Sequence, residues 1–148
     1  MAILVKNKLA RFNYEILEEF EAGLVLTGAE VKAAKQAKMS LRGAYLISEN
    51  NNLWLKNCHI SSYQEKNQIG YDVLRLRKIL LKKQEIISLQ EKMKQSGLTL
   101  LPLYVYTKGA LLKIKIALAR GKKKYDKRAI IQKREVDRRI QRALRHKV

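Results

Sequence analysis

The chain has 148 residues, room for one domain plus a tail, and 47% of them are apolar, enough for an ordinary hydrophobic core. Thirty-two Lys and Arg face thirteen Asp and Glu, a net charge of +19. Self-repulsion on that scale is offset by a polyanion, so nucleic acid is the first partner expected and an anionic membrane surface the second.

The lone cysteine, Cys58, has no partner for an internal disulfide, which fits a reducing compartment. Met1–Val5 is followed by Lys6, Lys8 and Arg11, the reverse of the order in a secretory signal. No run approaches the roughly eighteen apolar residues of a membrane span. A soluble, cytoplasmic protein is expected, with no membrane partner.

Along the chain, Tyr14–Leu26 mixes β-branched, aromatic and leucine residues with acidic ones, predicting one or two strands bent at Ala22-Gly23. Thr27-Gly28-Ala29-Glu30 has capping-box spacing, so a short helix should run from about Gly28 to Lys38 with Val31 and Ala34 inward. Ala44–Ser48 and Leu53–Lys56 form a hairpin pattern around Glu49-Asn50-Asn51-Asn52. Ser61–Asp72 is polar and aperiodic, a surface loop. Ile86, Leu89 and Met93 repeat at helical spacing, with Gly97 as the cap. Leu98–Tyr106 is strand-like and Lys108-Gly109 turns. Leu112, Ile114, Ile116 and Leu118 then alternate with Lys113 and Lys115, one face buried and the other wet and cationic. Several short antiparallel strands with short helices fit a small barrel or sandwich; periodicity does not choose between them.

At Arg120 the texture changes. Residues 120–148 carry thirteen basic and three acidic side chains, so over half of the excess charge lies in the last fifth of the chain. The division expected is a domain over 1–119 and a basic tail over 120–148. Val136, Ile140, Ala143 and Leu144 share a helical face among Arg134, Arg138, Arg139, Arg142 and Arg145, but the stripe is thin. Such a segment is expected to stay disordered until a polyanion offsets its charge; a solvated helix on the barrel is the alternative.

Catalytic constellations are not visible. His59 and His146 are far apart, and adjacent Cys58 and His59 would point to opposite faces of a strand. No glycine-rich phosphate loop follows a strand. Glu15, Glu18, Glu19 and Glu21 read as charges on an edge strand rather than a metal site. Trp54 reads as packing on a barrel face rather than as a stacking platform. No enzyme activity, cofactor or metal is expected.

Four collinear blocks carry a resemblance: Glu21-Ala22-Gly23-Leu24-Val25-Leu26-Thr27-Gly28-Ala29-Glu30-Val31-Lys32, His59-Ile60-Ser61-Ser62-Tyr63, Arg75-Leu76-Arg77-Lys78-Ile79-Leu80-Leu81, and Gly121-Lys122-Lys123-Lys124-Tyr125-Asp126-Lys127-Arg128. In order and spacing they resemble small protein B, the SsrA-binding family of bacteria. The resemblance implies a mainly β fold: an oligonucleotide-binding-like antiparallel β-barrel with two or three short flanking helices. The basic C-terminal tail would be disordered when free and helical on the ribosome. It also implies binding to the tRNA-like domain of transfer-messenger RNA and its delivery to ribosomes stalled without a stop codon. The tail would occupy the empty message channel beside the decoding centre.

Carried over by position, the site for transfer-messenger RNA would be Glu21, Leu80 and Lys82, with Asn7, Lys8, Arg75 and Lys78 as neighbours. Glu21 would accept from a base edge, a ribose hydroxyl or a cation that it orients, or else pair a cation within the barrel. In the tail, Gly121, Lys122, Lys123, Tyr125, Asp126, Lys127, Arg128, Arg138, Arg139 and Arg142 would meet the ribosome. Tyr125 would stack on a base and Asp126 would fix a neighbouring cation. Three positions depart from the family pattern. Val73-Leu74 stand where Pro-Thr is common, Lys82 where asparagine or histidine is frequent, and Phe12 where a polar or basic residue is usual. Lys82 would exchange a base contact for a phosphate contact. A monomer is expected, and a ribosomal or ribosome-assembly protein is the alternative reading.

Overall fold

The computed structural model describes residues 1–63, 69–95, 97–122 and 124–146, with side chains in the last segment described from 127 to 145. Seven strands form one antiparallel sheet: β1 (Ala2–Lys6), β2 (Tyr14–Leu24), β4 (Tyr45–Glu49), β5 (Asn52–Lys56), β7 (Arg77–Leu80), β8 (Leu98–Lys108) and β9 (Leu111–Gly121). Their order is β1-β8-β9-β2-β7-β5-β4, and the sheet curls so that β4 approaches β8. Two-residue strands β3 (Met39–Ser40) and β6 (His59–Ile60) pair separately. Helices α1 (Ala10–Asn13), α2 (Gly28–Lys35) and α3 (Lys83–Met93) flank the sheet, and α4 (Lys124–His146) follows it. No described helix is long and apolar enough to cross a membrane.

The curl encloses Leu46, Leu53, Leu55, Ile79, Val105 and Ile114, all buried, and α2 and α3 close it with Ala33, Ala34 and Leu89. Cys58 lies in the same core while His59 faces out, as opposite faces of an extended segment require. Burial pushes the Cys58 thiol up to about 12, leaving it a small core residue and not a nucleophile.

Local sequence signals hold in the structure where they are strongest. Thr27 Oγ1 accepts from the Glu30 amide at 3.2 Å, and Glu30 Oε1 accepts from the Thr27 amide at 3.0 Å. The hairpin turns on Asn50 and Asn51, both left-handed (φ 52° and 61°), the two-residue turn whose twist matches its strands. Trp54 sits half-buried on the outer face, its ring N–H 3.4 Å from the Glu49 carbonyl.

Several expectations are corrected. Tyr14–Leu24 is a single strand that stops two residues short of Leu26, with a register irregularity at Ile16–Glu18. Helix α2 ends at Lys35, because Ala37 takes φ 60°, and Glu30 and Ala33 point inward with Ala34 while Val31 is half-exposed. Helix α3 is capped by Lys94; Gly97 (φ 80°) serves the turn into β8 instead. The alternation in β9 stops at Ile116, since Ala117 and Ala119 are also buried. They form a second small core on the outer face with Ala10, Leu101 and Leu103. Of the expected loop at Ser61–Asp72, residues 64–68 lie outside the described residues, and Ser61–Tyr63 and Ile69–Asp72 belong to no helix or strand.

The tail is a helix here, where its charge density predicts a disordered chain. Residues 124–146 contain no Gly or Pro and are rich in Arg, Lys, Gln, Ile and Ala, most of them good helix formers, and Glu135 precedes Arg139 by one turn. The helix touches the barrel through α1, where the Arg134 guanidinium lies 5.6 Å from the Phe12 ring centre. Phe12, a departure from the family pattern, thus has a partner. Val136, Ile140 and Leu144 are each at least half exposed, so the apolar stripe does not face the barrel.

Candidate nucleic-acid interface

Strand β2 positions the site. Ala22 and Leu24 point into the core, so Glu21 and Gly23 point out. At Gly23 the strand is paired on both sides, with Lys113 of β9 and Leu80 of β7. Pairing register sets two adjacent outer rows, Tyr106–Lys113–Gly23–Leu80 and Lys6–Tyr104–Lys115–Glu21. Beyond Leu80, Lys78 stands opposite Trp54. The outer face therefore sets cations beside the half-exposed rings of Tyr104 and Trp54, the chemistry that holds single-stranded nucleic acid by phosphate and base, while Tyr106 in the same rows is buried. Tyr104 and Tyr106 have ring centres 5.5 Å apart, which stiffens one side of this face.

Glu21 is occupied within the protein. It accepts from the Tyr106 hydroxyl and from Lys108 Nζ at 3.0 Å, so of the two roles open to it, pairing and orienting a cation is the one its geometry supports. The Tyr106 bond first, and then Lys108, hold its carboxyl below the usual carboxylate range. Burial and the same bond push the Tyr106 phenol up, keeping it a donor. Two other β2 carboxylates also face cations: Glu18 pairs with Lys92 at 2.9 Å and Glu19 with Arg11 at 2.7 Å. Between Tyr14 and Ala22, β2 has no partner opposite β9 among the described residues, as on an edge strand. Among the described residues no cluster of His, Cys, Asp or Glu is arranged to hold a metal ion.

Leu80, expected in the site, and Lys78, expected as its neighbour, share the outer face with Glu21; Leu80 is 51% exposed. Arg75 does not stand free. Its guanidinium donates to Glu30 and, at 3.3 Å, to the Leu76 carbonyl. Asn7 is spent on the backbone, its side chain donating to the Pro102 carbonyl at 2.9 Å and its amide to Leu103 at 2.7 Å. It anchors the turn into α1, beside the exposed cations Lys6, Lys8 and Arg11.

Lys82 is exposed and caps α3 with no side-chain acceptor; its amide is held by Glu85 at 3.3 Å and its carbonyl accepts from the Ile86 amide at 3.0 Å. Lys82→Asn is expected to raise stability by about 1 kcal/mol in urea denaturation, since asparagine can accept from the first turn. A variant no more stable than the parent would show that this cap is already satisfied.

The tail residues are placed unevenly. Gly121 ends β9 opposite Tyr14, and Lys122 is tied back to α1, its amide 2.9 Å from the Asn13 carbonyl and its Nζ 2.8 Å from the Arg11 carbonyl. Lys127 is half-buried; Arg128, Arg138, Arg139 and Arg142 are exposed. Lys123 lies outside the described residues, as do the side chains of Tyr125 and Asp126.

What sequence reasoning missed is the support beneath the interface. Glu30 is the hub of a buried network as well as a cap. Arg77, fully buried, donates to Glu30 Oε2 at 2.5 and 2.8 Å and to the Cys58 carbonyl at 2.5 Å. The Tyr71 hydroxyl donates to Glu30 at 3.0 Å. A signal was available: Arg77 shares strand parity with Ile79, so one apolar face carries an arginine that needs a buried acid.

The family model for SmpB protein matches residues 4–146. The SsrA-binding protein of Streptococcus mutans is 46% identical over 143 residues, covering 97% of this chain and 92% of that protein. That of Trichodesmium erythraeum is 47% identical over 144 residues, with the same coverage. A solved chain from a structure of tmRNA–SmpB at the center of the bacterial ribosome superposes with a TM-score of 0.69 at 40% identity. The match covers 83% of this chain and 87% of that one. A match along nearly the whole length, at this identity, places the chain in the SmpB protein family.

Proposed function

We propose that this protein is a non-enzymatic adaptor of trans-translation in the cytoplasm. It binds the tRNA-like domain of transfer-messenger RNA and brings it to ribosomes stalled without a stop codon. The observation that carries the reading is the full-length likeness to SsrA-binding proteins. Lys78, Leu80 and Lys82 then supply phosphate and base contacts, with Lys113 and Lys115 beside them. Glu21 acts by holding Lys108 and Tyr106 in place. Arg75 and Asn7 serve by shaping the loops that carry their neighbours. The tail lies along small-subunit RNA in the empty message channel, its exposed arginines offsetting phosphates.

A gel-shift comparison of the tRNA-like domain with an ordinary tRNA tests the assignment. Strong preference for the former is expected; equal affinity would favour a general ribosomal RNA-binding protein. Binding should also weaken with salt at a log–log slope of about −0.7 to −0.9 per phosphate neutralised. A flat response would remove the electrostatic account.

A further inference from the structure

Directly opposed residues in an antiparallel pair normally keep their Cβ atoms about 4.5–5.5 Å apart. At Gly23 and Leu80 that spacing is not kept. A Cβ built on Gly23 would stand 3.1 Å from Leu80 Cβ, tighter than ordinary van der Waals contact, and 3.4 Å from its Cδ1. Leu80 therefore leans over the bare backbone of β2 while 51% of it stays exposed. The backbone at Gly23 does not take positive φ and sits in a regular ladder, so strand conformation does not demand glycine. The missing side chain is used for space.

We infer that Gly23 is a positioning residue of the interface: by leaving room across β2 it sets the attitude in which Leu80 meets the RNA. This rests on the reading that Leu80 is a contact for transfer-messenger RNA. Lys113 and Glu21 frame the same spot from β9 and β2, so a Leu80 displaced away from β2 would also open a gap beside them.

The test is a double-mutant cycle on the full-length protein: parent, Gly23→Ala, Leu80→Ala and the pair, titrated with the tRNA-like domain of transfer-messenger RNA. Gly23→Ala is expected to weaken binding roughly tenfold and to add almost nothing in the Leu80→Ala background, as for residues that act as one unit. Thermal midpoints should not fall, because alanine is a better strand residue than glycine. In the free protein the Leu80 methyl resonances should move in Gly23→Ala while those of Leu46 and Leu53, on the core side, stay put. Equal losses from Gly23→Ala in both backgrounds, or no loss in the parent, would overturn the inference. Unchanged binding by Leu80→Ala alone would instead remove the contact reading on which it stands. Should Gly23→Ala not fold, recovery of folding in the double variant supports the inference, and failure of both overturns it.

Discussion

Ending the chain after Lys122 is expected to abolish tagging of products on stalled ribosomes while leaving affinity for the tRNA-like domain within about twofold. The cut belongs there because β9 continues through Arg120 and Gly121, which pair with Glu15 and Tyr14, and Lys122 is tied to α1. A stop after Ala119 would damage the barrel and confuse two effects. Beyond Lys122 the helix contributes little to the fold: its described contact with the barrel is with α1, and an exposed cation–aromatic contact such as Arg134–Phe12 is worth about 0.5–1 kcal/mol. Residues 123–148 do hold eleven of the thirty-two basic side chains. A full-length variant with those residues changed to glutamine separates charge from length and should fail in the same assay. Full tagging by either protein would show that the tail is dispensable.

Replacing Glu30 with alanine is expected to cost about 3–5 kcal/mol, read as a fall in the urea midpoint, because Arg77 would be left buried and unpaired. That is a large share of the stability of a small domain. Adding Arg77→Met should recover much of the loss, since an apolar side chain of similar length needs no buried partner. A loss below about 1 kcal/mol for Glu30→Ala would mean that the cation finds another acceptor.

The same network predicts a pH dependence. Burial alone would raise the Glu30 pKa, but the bonds from Arg75, the Thr27 amide and Arg77 outweigh it and hold the carboxyl at about 2, against an ordinary 4.5. A folded-state pKa below the unfolded one means that the unfolded chain binds the proton first. Stability from Glu30 is thus fully present above about 4.5 and drains as pH falls toward 2, by roughly 3 kcal/mol in all. Glu30→Ala should flatten that part of the stability curve, and an unaltered acid limb would place the acid-sensitive group elsewhere.

The features legible along the chain lie within a few residues of each signal. The Thr27–Glu30 box, the Asn50-Asn51 turn, helix α3, the start of β9 and the gathering of charge after Arg120 all follow from spacings of two to four residues or from plain composition. Which distant segments meet is settled by packing. Glu30 reaches Arg77 across 47 positions, Glu21 reaches Tyr106 across 85, and the gap at Gly23 is read only once β7 lies beside β2. The second core at Ala117 and Ala119 was hidden for the same reason: small residues look like surface until α1 and β8 cover them. Periodicity reports which face of a strand is apolar. It carries no information on the register that pairs a buried arginine with its acid, because register is selected by the packing of the whole sheet.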